Sequence, residues 1–358
     1  LEFLTEYGLF LAKTVTLVVA LLIAITAIIS AAHKDKGGDD SDGELRIRRL
    51  NETYRKLKDA IQARMMDEHE RKAWQKRKNK QEKAELKAEK KKLKSKKSES
   101  EVATETPSRV FVLDFDGDIK ASDTDSLRKS ITAVLSVADV DKDEVVIRLE
   151  SGGGLVHSYG LAAAQLDRIR TKGIKLTACV DKVAASGGYM MACVADRIVA
   201  SPFAILGSIG VVAQLPNFHR LLKDNKVDFE VLTAGEHKRT LTVFGENTDK
   251  GRQKFLEDLE DTHGLFKDYV SERRPSLDIA AVANGDIWFG RRALDVKLID
   301  EIRTSDEYLI EACDRAEVVS VGFRRKRTLP EKLGLAASAA LENTVVRLLS
   351  AFRNQKIQ

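Results

Sequence analysis

Ser186 lies in VDKVAASGGYMMACVADRIVASPFAILGSIGV (residues 180–211), with two alanines before it and two glycines after it. The run is mostly apolar, with charges at Asp181, Lys182, Asp196 and Arg197. A strand is predicted over 174–180 and a new helix begins at the serine, the place where parallel α/β sheets gather reactive groups. A helix start offers free N–H groups and a positive dipole end. Small neighbours let a substrate backbone approach closely. These features suit a nucleophile whose oxyanion is held by backbone donors. They also suit an N-cap serine in a tightly packed turn. A serine hydroxyl needs a base. His157, three residues past the glycine turn SGGG (151–154), can approach it, but no carboxylate at a recognisable spacing completes a triad. A lysine can replace histidine when desolvation leaves it neutral. Lys238, in TAGEHKRT and 52 positions after Ser186, follows a predicted strand and is the candidate; a solvated surface lysine is the alternative.

The elements that must position these residues follow from the apolar pattern. VFVLDFDGDI (110–119), EVVIRLE (144–150) and IKLTACV (174–180) read as strands. SDTDSLRKSITAVLSVA and LVHSYGLAAAQLDRIRTKG read as helices between them, and RIVAS and VDFEVLTA (227–234) as further short strands. This alternation predicts an α/β domain with a mostly parallel sheet, its helices on the faces by the right-handed crossover rule. Cys179, Cys193 and Cys313 have no metal-ligand spacing, and the first two lie in apolar runs, so they read as buried free thiols. The 183–212 stretch is interrupted by Asp196, Arg197 and glycines, which makes it core and not a membrane span.

The 358 residues exceed the needs of one compact domain, and the formal charge of +5 is concentrated in one segment. Residues 14–32 carry no charge; as a helix they reach roughly 28 Å, close to a bilayer core. With acidic rather than basic residues upstream, 1–32 reads as a retained transmembrane anchor and not a cleaved leader. Residues 33–109 read as a charged juxtamembrane spacer and linker, helical or disordered. Its early part carries an amphipathic stripe of Tyr54, Leu57, Ile61 and Met65, and lysines dominate beyond. A solvated spacer and a strip lying on anionic headgroups both fit. Nucleic acid is not expected, since no aromatic residues interleave the lysines.

Four stretches, VAASGGYMMACVADRIVASPFAILGSIGV, LESGGGLVHSYG, TAGEHKRTLT and ANGDIWFGRRALDVKLIDEI, together resemble the signal peptide peptidase A family of serine proteases, and most nearly its membrane-anchored SohB branch. The resemblance implies a ClpP/crotonase-like spiral domain over 110–322, followed by an amphipathic tail at 323–358. It implies a Ser–Lys dyad of Ser186 and Lys238, with Ser208 of GSIGV orienting the lysine. Gly154 and Gly187 would supply the oxyanion-hole N–H groups. Gly152 stands where the family usually has proline, which loosens the turn. No cofactor or metal is implied.

The resemblance further implies cleavage of peptides or misfolded envelope proteins, lipid contact through the anchor, and assembly into a homo-oligomer. It places the protease domain in the periplasm, at a bacterial inner membrane. The lysines past the span favour the cytoplasmic side, although charges nearest the span are mixed. Two other functions compete: a crotonase-type acyl-CoA enzyme, which needs no serine nucleophile, and a non-proteolytic membrane scaffold recruiting through the basic segment.

Overall fold

The computed structural model describes residues 13, 43–95 and 107–324. The predicted membrane span at 14–32 and the predicted amphipathic tail beyond 324 lie outside the described residues. Among the described residues no helix is long and apolar enough to cross a membrane.

In chain order the elements are β1 (Glu44–Arg49), α1 (Leu50–Met65), α2 (Glu68–Ser95), β2 (Arg109–Gly117), α3 (Thr124–Leu135), β3 (Glu144–Ser151), α4 (Val156–Thr171), β4 (Lys175–Val180), β5 (Val183–Ala185), α5 (Gly187–Ala192), β6 (Arg197–Ala200) and β7 (Ile205–Gly207). Then come α6 (His219–Asp224), α7 (Asp249–Arg273), α8 (Ile279–Val282), β8 (Ile287–Phe289), α9 (Gly290–Asp295), β9 (Glu301–Ile302), α10 (Ser305–Arg315) and β10 (Glu317–Arg324). The main sheet runs β1-β10-β2-β3-β4-β6-β9. From β10 to β9 every pairing is parallel. The α/β expectation is met, and both sheet faces are covered.

Strand alternation divides the core in two. Phe111, Leu113 and Phe115 of β2 face α3 and α4 in the larger cluster, while Val110 and Val112 face Tyr308, Leu309 and Ala312 of α10 in the smaller. A central strand buried on both faces reads as a continuous apolar run, which is why EVVIRLE was legible.

The feature that builds the site is a fork at the end of β3. Residues Glu144 to Arg148 pair with β4, whereas Ser151 pairs with Ala184 of β5. β5 then pairs with β7 in parallel, and β7 with β8 antiparallel. This short side layer carries the chain away from the main sheet just where the serine segment begins.

Two regions differ from the sequence expectation. VDFEVLTA forms no strand: 227–234 is exposed irregular chain that pairs with no strand of the described sheet. Conversely, the start of the charged segment belongs to the domain. β1 pairs with β10, Arg49 Nε lies 2.9 Å from Glu317 Oε1, and Leu50 packs on the smaller core. Asn51 donates to the carbonyls of Cys313 (3.1 Å) and Ala316 (3.0 Å) and accepts from the Val318 N–H (2.8 Å). The stripe on α1 does form, but Leu57, Ile61 and Met65 project into solvent. α2 is the solvated, lysine-rich helix expected of the spacer, and it turns back so that Lys78 pairs with Asp59 of α1.

Candidate active site

Ser186 joins β5 to α5 at φ +51°, ψ −119°. That is the left-handed side of backbone space, which costs a residue with a Cβ about 1–3 kcal/mol and persists only where surrounding structure imposes it. The constraints are visible. The Ser186 N–H donates to the Gly207 carbonyl at 2.8 Å, and the Ser186 carbonyl accepts from the Met190 N–H at 2.9 Å. The following helix is entirely buried. The side chain caps nothing, so the N-cap alternative fails: the hydroxyl makes no hydrogen bond with the described residues. Ser186 is only partly buried. A strained, partly open, uncommitted hydroxyl at a strand-to-helix turn is the geometry of an exposed nucleophile.

Gly187, first residue of α5, has no intrahelical acceptor for its N–H. The glycine turn after β3 comes up beside it. In that turn the Gly153 N–H donates to Ser151 Oγ (3.1 Å) and the Leu155 N–H to the Ile119 carbonyl (2.9 Å). The N–H of Gly154, between them, donates to nothing among the described residues, and Gly154 is exposed. Gly153 has φ +88°; a Cβ there would lie 2.6 Å from Gly187 N and 2.8 Å from Ser186 Cβ. The turn therefore packs directly on Ser186, and only glycine permits that approach. The structure brings the turn that carries Gly154 against Ser186 and Gly187. It adds Gly153, which sequence reasoning passed over although SGGG held the signal.

Ser208 begins the next turn, at φ +50°, with its N–H donating to the Asp286 carbonyl at 2.7 Å. Its neighbour Gly207 accepts from the Ser186 N–H, so Ser208 stands one residue from the backbone partner of Ser186. A Cβ on Gly207 would lie 2.7 Å from the Trp288 ring, which closes that side. The Ile209 carbonyl is 3.2 Å from His263 Nε2.

Lys238 is placed differently. It is exposed, on an irregular arm between β7 and α7, and lines an open cleft with Phe229, Leu232, Thr242 and Phe244. No hydrogen bond among the described residues joins it to Ser186 or Ser208. His157 is exposed on the first turn of α4, without a hydrogen-bond partner among those residues. The cysteines offer no competing nucleophile: burial pushes the Cys179 and Cys193 thiols up to about 12, so neither forms a thiolate near neutrality.

Beneath the site lies a layer that sequence reasoning missed. Ser151 and Tyr159 are buried under the glycine turn with their hydroxyl oxygens 2.5 Å apart. Both had the look of ordinary core positions, and no spacing marked them.

With this geometry in view, comparison with known proteins is informative. A model of peptidase family S49 matches residues 168–319, and one of that family's N-terminal region matches 2–166. A Haemophilus influenzae protein named "Probable protease SohB" is 50% identical over 347 residues, 97% of this chain and 96% of the relative. A protein of the same name from Buchnera aphidicola subsp. Schizaphis graminum is 44% identical over 358 residues, covering 100% of each chain.

Proposed function

The chain belongs to peptidase family S49, and from that premise we propose that it is a membrane-anchored serine endopeptidase in which Ser186 and Lys238 act as a dyad. The observation that carries the reading is the Ser186 hydroxyl, held at positive φ and spent on no cap, followed by Gly187 and packed through Gly153 against the turn that carries Gly154. An acyl-CoA enzyme of the crotonase type has use for the two N–H groups but none for that hydroxyl. The forked sheet supports a spiral of the ClpP/crotonase kind.

In the proposed mechanism the Ser186 hydroxyl adds to a peptide carbonyl while its proton passes to neutral Lys238. Gly154 and Gly187 hold the resulting oxyanion. The C–N bond breaks, and the Lys238 ammonium returns the proton to the leaving amine. A water, deprotonated by Lys238, then releases the acyl group and restores Ser186. Ser208 orients the amine by accepting one of its N–H bonds.

A base role requires Lys238 to be drawn out of water, because desolvation is what leaves an amine neutral. In one protomer it is exposed. Its arm also turns large apolar side chains outward, Leu232 at 90% and Val212 at 81% exposure. We read this as the surface a second copy covers, drying the lysine as it closes the site. Residues 14–32 hold the enzyme to the inner membrane with the domain in the periplasm, within reach of membrane-released peptides and misfolded envelope proteins.

The test is labelling by a fluorophosphonate together with a casein digest. Wild type labels and cuts. Ser186→Ala does neither, with activity down by about 10³-fold or more, and Lys238→Ala labels far more slowly. A Ser186→Ala protein that labels like wild type overturns the assignment.

A further inference from the structure

We infer that Tyr159 is a positioning residue that locks the two halves of the oxyanion hole together, an assignment resting on the Ser186 reading above. The halves come from separate turns, β3–α4 carrying Gly154 and β5–α5 carrying Gly187. One side chain touches both. Tyr159 sits on the first turn of α4 and is 0% exposed. Its ring lies directly under Gly187, so that a Cβ there would fall onto the ring. Its hydroxyl reaches the other half through a chain of hydrogen bonds.

Proton counting orders that chain. The Tyr159 hydroxyl donates to the Asp118 carbonyl at 2.7 Å, committing its only proton. Ser151 Oγ has two acceptors in reach, the phenol oxygen at 2.5 Å and the Gly117 carbonyl at 3.2 Å; its one proton goes to the nearer phenol, and Oγ accepts the Gly153 N–H at 3.1 Å. The chain runs from Gly153 through Ser151 and Tyr159 to Asp118. It ends on the glycine whose Cα packs against Gly187 N and Ser186 Cβ. Ser151 also backs the second half, because its carbonyl lies against the Cα of Gly188. Phe115, edge-on at 6.5 Å, fixes the ring. Burial holds the phenol above its ordinary range, so it remains a neutral donor.

A buried phenylalanine would fill this space without a polar group to satisfy. The tyrosine adds a hydroxyl that sets the height of the Gly153–Gly154 peptide relative to Gly187. The Gly154 N–H can then point at the oxyanion, although Gly152, next in the turn, has open space around it.

Tyr159→Phe keeps the ring and cuts the chain. In the full-length enzyme, the expected result with fluorogenic casein is a kcat lower by about 10- to 100-fold, below the cost of deleting an oxyanion donor outright. KM should change less than about threefold and Tm only slightly. Affinity for a peptide boronate, which mimics the tetrahedral state, should fall in parallel with kcat. Ser151→Ala should reproduce the loss, and the double variant should be no worse than either single one, as for members of one chain. If either single variant destabilises the fold, the other carries the test. An unchanged kcat in Tyr159→Phe, additive losses, or a loss that follows KM or Tm overturns the inference. Ser186→Ala, run alongside, separates the levels. If it is inactive while Tyr159→Phe is wild-type, the positioning role alone fails. If it labels normally, the nucleophile reading fails and the inference with it.

Discussion

Between residues 181 and 210 most side chains are buried, the backbone is tied to β3, β7 and β8, and two serines are held at positive φ. Between 211 and 248 only Gly245 is buried. This arm closes on itself: the Phe218 N–H donates to the Val243 carbonyl at 2.7 Å, Asn217 bonds the carbonyls of Thr242 and Gly245, and Phe218, Phe229 and Phe244 cluster. In the proposed mechanism the first region supplies the hydroxyl and the Gly187 N–H, the second the lysine. The nucleophile turn is preorganised by the fold itself, and strain stored there is carried by a well-packed scaffold. The arm has little burial to hold it in one place, and such segments belong to the low-stability end of a structure. The proposed nucleophile thus sits on packed scaffold, and the proposed base on an exposed arm.

The contrast can be broken most severely on the scaffold side. Gly187→Ala pushes a methyl group into the Tyr159 ring and shifts one oxyanion donor. Casein turnover should fall by about 10²-fold or more, and the crystal or solution structure of the arm should not change. On the arm side, Leu232→Asp places a charge on the most exposed of its apolar side chains. Sedimentation should show a smaller assembly, and turnover should drop about tenfold, recovering partly at higher protein concentration by mass action. A variant that stayed assembled and active would remove the arm from the interface. The smallest effect concerns the far edge of the scaffold. Asp143 is buried, which opposes its ionisation, but bonds from Arg109 and from the Asp139 N–H outweigh that cost and hold its carboxyl below the usual range. A depressed folded-state value gives stability that is full above the unfolded carboxyl range, near ~4, and drains as pH falls through the lower folded value. Asp143→Asn should lower stability by about 1–3 kcal/mol at neutral pH. Its Tm should also decline less steeply below about pH 4 than that of wild type, as followed by circular dichroism.

The scaffold was readable in the sequence because its chemistry is local. β2, β3 and β4 are apolar runs ended by glycine or charge, and Ser186 among alanines and glycines at a strand exit signals a turn of unusual backbone. The arm misled for a physical reason. Val227, Phe229 and Val231 alternate with Asp228 and Glu230 as a half-buried strand would, yet all five are exposed and pair with no strand of the described sheet. β1 failed in the opposite sense. ELRIRR has no buried residue, so nothing in its hydropathy announced a strand, and backbone pairing with β10 is what recruits it. Ser151 and Tyr159 were hidden because a hydrogen-bond chain across three segments leaves no periodic trace.

The Asn51 clamp and the strand before it decide where this protein can be cut. A fragment begun at the linker near residue 107, as composition would invite, strips the outermost ribbon from the sheet. β10 would then present bare donors and acceptors along its length, a template for sticking to its own kind. Expression of a well-behaved catalytic piece has to start ahead of Glu44, and the excisable part of the basic region is α2 alone.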